Sequence, residues 1–101
     1  MTMLEDKIWQ ALSEIYDPEI PVNIIDLGLV YSIKETGSDA VHIRMTVTSK
    51  HCPAAAFLPE IVRQAAVKAG AENTIVELVF EPLWSRDRMS DKARKTLGYR
   101  T

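Results

Sequence analysis

The stretch Ala40-Val41-His42-Ile43-Arg44-Met45-Thr46-Val47-Thr48-Ser49-Lys50-His51-Cys52-Pro53-Ala54-Ala55-Ala56-Phe57-Leu58 changes its hydrophobic period partway along, and that change decides the fold class. Up to Thr48 the apolar side chains Val41, Ile43, Met45 and Val47 alternate with His42, Arg44, Thr46 and Thr48, the period of a strand with one buried face. After Pro53 the apolar residues Phe57, Leu58, Ile61, Val62, Ala65 and Ala66 recur at helical spacing until Gly70. Proline suits the first turn of a helix, so a helix is predicted from Ala54 to Ala69, kinked or split at Pro59. The strand-to-helix junction holds the chain's only cysteine, Cys52. Helix N-terminal amides favour an anion there, and Lys50 and His51 add to the pull, so the thiol is a candidate reactive thiolate.

Outward from this junction the remaining elements follow from the same patterns. Leu4, Ile8, Leu12 and Ile15 share a helix face, with Thr2 as cap, predicting a first helix over 3–16 that Asp17-Pro18 ends. Pro18 and Pro21 hold DPEIPVN (17–23) extended as a connector or binding loop. A strand is expected over Leu29–Glu35, with Leu29, Tyr31 and Ile33 on one face. Gly37-Ser38-Asp39 makes the hairpin turn into the strand that begins at Ala40. A third strand over Thr74–Phe80 turns Val76, Leu78 and Phe80 inward. Its other face carries the apolar Ile75 and Val79, which a second subunit would cover. Ser90 caps a short last helix that stops at Gly98. The order helix-strand-strand-helix-strand-helix predicts an α+β two-layer sandwich, with helices on one face of a small three-stranded sheet.

Size and composition bound the function. A chain of 101 residues, 47% hydrophobic and 26% charged, suits one domain over 1–101 with a modest core. Self-association as a homodimer would add stability. A lone cysteine and a charged N-terminal segment, Glu5-Asp6-Lys7, point to a reducing, cytoplasmic compartment. No apolar run approaches the roughly 20 residues of a membrane span. The net charge of −2 divides unevenly: residues 1–81 hold 6 Lys and Arg against 12 Asp and Glu, whereas 82–101 hold 6 against 2. That basic tail is either a solvated face or a docking surface for an acidic protein. Nucleic acid fits poorly, because the body is acidic and the tail lacks interleaved aromatics.

One cysteine cannot close a metal site, so iron or a cluster at Cys52 would need His51, a carboxylate, a second subunit or an external thiol. His42 lies on the polar side of its strand and reads as solvated. Asp26, in Asp26-Leu27-Gly28, belongs at the start of the first strand, and hairpin pairing brings it near Thr48–Cys52. It would either pin its loop or reach a pocket shared with the thiol. Trp84 and Met89 are expected to pack over the sheet edge, or, for an exposed Trp84, to dock a partner.

Three segments, DPEIPVNIIDLGLVY (17–31), TSKHCPAAAFLPE (48–60) and EPLWSRDRMSDKARKTLGY (81–99), together resemble the SufT and PaaD type of iron-sulphur assembly proteins, relatives of the eukaryotic cytosolic iron-sulphur targeting factor. The resemblance covers nearly the whole chain. It implies a small α+β domain that helps load clusters into recipient proteins. By position it assigns the reactive cysteine to Cys52, the loop acid to Asp26, the acid-proline segment to Asp17, Pro18, Glu19 and Pro21, and the C-terminal aromatic and sulphur side chains to Trp84 and Met89. His51 stands where these proteins commonly have glycine, and a side chain there would add a ligand or restrict access to the thiol. The cysteine-rich C-terminal segment of longer PaaD-like proteins is missing, which points to the SufT-like branch.

The expectation is therefore an accessory factor that delivers or targets clusters. Cys52 and His51 would contact iron, supported by Asp26, Thr48, Asp17 and Glu19, with Trp84, Arg86, Arg88 and Met89 docking partners. No cofactor is expected to be held stably by the monomer, although an iron-sulphur cluster would pass through transiently. The partners are a cluster carrier or scaffold and recipient apoproteins. A pure adaptor that recruits clients without iron, and a thiol-dependent enzyme pairing Cys52 with His51 or His42, are the competing readings.

Overall fold

The computed structural model describes residues 3–17, 21–47 and 56–98, apart from the Arg86 side chain. In chain order the elements are α1 (Met3–Leu12), β1 (Val30–Gly37), β2 (Ala40–Met45), α2 (Leu58–Lys68), β3 (Asn73–Leu78) and α3 (Asp91–Thr96), with a 3-10 turn at Arg86–Arg88. This is the expected α+β order. The strands form one three-stranded sheet in the order β1-β2-β3. β1 and β2 are an antiparallel hairpin, with Ile33 opposite Ile43, turning through Ser38-Asp39. β3 lies parallel to β2, Ala40 facing Asn73 and Met45 facing Leu78. Parallel neighbours need a crossover, and α2 supplies it.

The period-2 pattern of β2 explains which face is covered. Val41, Ile43 and Met45 are essentially buried, as are Ile8 and Leu12 of α1 and Leu58, Val62 and Ala66 of α2. α1 packs on β1, α2 packs on β3, and the two helices touch each other. Each fully buried Leu or Ile contributes about 1.5–3 kcal/mol relative to exposure. The opposite face is open. There Glu77 Oε1 sits 3.0 Å from His42 Nε2 and 3.9 Å from Arg44 Nε. No helix among the described residues is long and apolar enough to cross a membrane.

Three local expectations change. The first helix stops at Leu12 rather than 16, because Ile15 takes a different partner: its carbonyl accepts from Ile24 N at 2.8 Å. The connector that follows is a loop closed at its base, with Tyr16 bridged antiparallel to Asn23 and Asp17 N donating to Val22 O at 3.3 Å. Residues 18–20 of that connector, and the Thr2 cap, lie outside the described residues. The first strand does not alternate cleanly from Leu29, because its register shifts between Val30 and Ser32, so Leu29 and Val30 are both buried. The predicted 54–69 run breaks beside Pro59: Ala56 is in a 3-10 turn, Phe57 is the N-cap, and α2 begins at Leu58. The proline falls in the first turn of α2, where it costs no hydrogen bond, while residues 54–55 lie outside the described residues.

Candidate functional site

The loop before β1 is a tight turn built from its own polar groups. Leu27 N donates to Asn23 O, Gly28 N to Ile25 O and Leu29 N to Ile24 O, each at 3.0 Å. The Asn23 side chain closes the turn from both sides: its Oδ1 accepts from Asp26 N at 2.9 Å, and its Nδ2 donates to Asp26 Oδ2 at 2.6 Å. Such Asx geometry needs only a three-residue spacing. Ile24, Leu27 and Leu29 are fully buried and root the turn in the core. The Asp26 carboxylate is thus engaged inside its own loop. Asn23, which fixes it there, is a residue the sequence reading passed over, although the spacing of Asn23 to Asp26 signalled it.

The segment after β3 straps this turn down. It crosses a cis Glu81–Pro82 peptide, and the Tyr31 hydroxyl donates to Pro82 O at 2.8 Å. The Trp84 indole N–H donates to Leu27 O at 2.7 Å. Ser90 N donates to Asp26 O at 2.8 Å, and the Ser90 hydroxyl oxygen accepts from Ala93 N at 3.1 Å to cap α3. Gly28 has φ +78°, and a Cβ there would collide with the Arg88 carbonyl, so the approach of strap to turn requires glycine. The Arg88 guanidinium stacks 4.5 Å from the centre of the Tyr31 ring. The Tyr31–Arg88 pair carried no sequence signal, since the partners are far apart in the chain. Met89 is buried, and Trp84 is half-buried against the core, where it is fastened rather than free. The exposed apolar side chain of this strap is Leu83, at 64%.

The strap and turn meet where the cysteine-bearing segment departs. Thr46 N donates to Leu29 O at 2.8 Å, one residue beyond Gly28, and Val79 N donates to Met45 O at 2.8 Å. Thr46 and Val47 are buried at this junction, and the chain is described again from Ala56, at the entry to α2. Thr48, His51 and Cys52 lie between these points, outside the described residues, as do Glu19 and the Arg86 side chain. Asp17 is 4% exposed, beside the Tyr16–Asn23 bridge. A cavity of about 160 Å³ opens between this loop and α3, with Tyr16, Asn23 and Asp26 on one wall and Lys92, Ala93 and Thr96 on the other. Among the described residues no group of three His, Cys, Asp or Glu side chains is placed to hold a metal.

Fold and site together define a small two-layer α+β domain that gathers a strapped turn, a buried acid and the flanks of a thiol-bearing segment around the sheet and its loops. The family described as Iron-sulfur cluster assembly protein matches residues 5–78. A Fe-S protein maturation auxiliary factor of Porphyromonas gingivalis is 42% identical over 96 residues, covering 94% of this chain and 91% of the relative. The Fe-S protein maturation auxiliary factor SufT of Staphylococcus aureus is 33% identical over 88 residues, covering 83% and 97%. The crystal structure of a domain of unknown function from Bacillus anthracis superposes with a TM-score of 0.87 at 35% identity, covering 96% of this chain and 93% of that one. The chain belongs to the iron-sulphur cluster assembly family, in its SufT and PaaD-like group.

Proposed function

We propose that the protein is a non-enzymatic accessory factor that delivers or targets iron-sulphur clusters to recipient apoproteins, with the cluster as cargo and no resident cofactor. The Cys52 thiolate donates an electron pair to a cluster iron, replacing one ligand of the carrier. It leaves unchanged when a ligand of the recipient takes its place, so no bond in the protein is made or broken on balance and no electron is consumed. The loops around Asp26 and Trp84, fastened to each other as the turn and strap are, engage carrier or recipient. The observation that carries the reading is the convergence of two motif segments, 26–31 and 82–90, on the point where the third segment leaves β2.

The test is anaerobic reconstitution of wild type and Cys52→Ala side by side, reading iron, acid-labile sulphide and the absorption spectrum. Uptake of a coloured cluster by the wild type alone is the expected result. Loading of both proteins would remove Cys52 as a ligand. Loading of neither would replace the carrier with an adaptor that recruits clients, to be followed by client capture with the same variant.

A further inference from the structure

Both β1 and β3 are edge strands, but among the described residues one edge alone is guarded. On β1, Glu5 Oε2 accepts from Glu35 N at 2.9 Å, the register shifts twice, between Val30 and Ser32 and between Glu35 and Gly37, and the strap ties down Tyr31. Covered amides, bulges and overlying segments are the devices by which sheets avoid pairing with other chains. β3 has none of these among the described residues. Its register against β2 is unbroken from Asn73 to Leu78, and Asn-Thr-Ile-Val-Glu-Leu contains no proline, glycine, lysine or arginine. Asn73 N donates to Asp39 O and Val79 N to Met45 O, so the odd-numbered residues spend their backbone groups on β2. Thr74, Val76 and Leu78 therefore aim N–H and C=O groups outward, where no described residue meets them. Ile75, on the open face of the same strand, is 67% exposed.

We infer that β3 pairs antiparallel with β3 of a second copy of this chain, about a two-fold axis through Val76, continuing two sheets into one. The outward-facing Thr74, Val76 and Leu78 then exchange backbone hydrogen bonds with the partner's Leu78, the partner's Val76 and the partner's Thr74. Ile75 falls opposite the partner's Glu77. No Glu77 meets another, and each is already held by His42 and Arg44 of its own protomer. Neighbouring registers are worse. An axis at Leu78 sets Thr74 against the partner's Pro82, which has no N–H to give, and one at Thr74 sets Val76 on the core side against the partner's Glu72. This self-complementarity selects a second copy over an unrelated extended segment.

The pairing does not depend on cluster handling, so metal-free, thiol-reduced full-length protein tests it. Sedimentation velocity over a concentration series is expected to show a reversible monomer–dimer equilibrium. Ile75→Glu places like charges opposite each other, twice by symmetry, and weakens association about tenfold. Ile75→Lys faces the partner's Glu77 and leaves association as strong or stronger. Because Ile75 is exposed, both variants keep the wild-type circular dichroism. Amide exchange at Val76 and Leu78 slows as the dimer forms. A wild type that stays monomeric, a dimer indifferent to Ile75→Glu, equal loss with Glu and Lys, or Val76 and Leu78 amides that exchange freely in the dimer would each overturn the inference.

Discussion

At the start of β1 the chain is held by an indole, a serine amide and a glycine that lets two backbones touch; along β3 the ladder to β2 is regular and no described residue meets the backbone groups on its outer side. The strands share one sheet and much the same core, so the contrast lies in how their outer sides are finished. Long-range polar contacts collect where the thiol-bearing segment leaves the sheet. They satisfy the backbone carbonyls of Asp26, Leu27 and Pro82 with donors from distant parts of the chain, the arrangement expected where geometry must not drift. The β3 side relies on the hydrophobic layer beneath it and on exposed ion pairs, which contribute little.

The sharpest way to break this contrast is at Gly28. A methyl group there meets the Arg88 carbonyl, and the φ of +78° is strained for any side chain. Gly28→Ala is expected to cost about 3 kcal/mol or more, or to prevent folding. Gly98 supplies the control: its φ is +80°, but nothing lies within 4 Å of the added Cβ. Gly98→Ala should cost only the left-handed backbone penalty, about 1 kcal/mol. Chemical denaturation of both variants measures the difference. Equal losses would mean that the strap does not press on the turn.

Trp84→Phe is the next step down. The ring volume is largely kept while Leu27 O loses its donor, and Leu27 is wholly buried. An unpaired carbonyl of this kind costs about 1–3 kcal/mol. Amide exchange should quicken at Asp26–Leu29 and stay unchanged in β3. A uniform acceleration through the sheet would show the strap to be global cement rather than a local fastening.

These contacts also mark how far the sequence could be read. Apolar periodicity placed α1, β2 and β3, and turn and cap residues placed the hairpin and the start of α3, because each depends on neighbours a few residues away. Ile15 misled, since its spacing suits a helix while its carbonyl is claimed by Ile24 from the far side of a loop. Pro59 was legible in part: the run does break beside it, but whether a proline breaks a helix or opens one depends on where the first turn falls. Asp26 as a loop-pinning acid was legible, needing only Asn23 at a local spacing. The fastening of Trp84 to Leu27 was not, because a hydrogen bond across 57 positions leaves no local pattern.

The smallest expected effect lies on the lightly finished side, in α2. Glu60 is exposed, and its carboxyl is held below the ordinary glutamate range, chiefly by its hydrogen bond with Arg63 and then by that with Gln64. A depressed folded-state value means that the pair favours the folded chain above the unfolded glutamate pKa and ceases to do so as pH falls through the folded one. Solvent screening at this site leaves that contribution slight. Arg63→Ala should therefore return the Glu60 titration, followed by NMR of its carboxyl carbon, upward toward the ordinary range while the melting temperature at neutral pH stays within experimental error. A clear loss of stability at neutral pH would mean that the β3 side depends on this ion pair, and the contrast with the strapped turn would narrow.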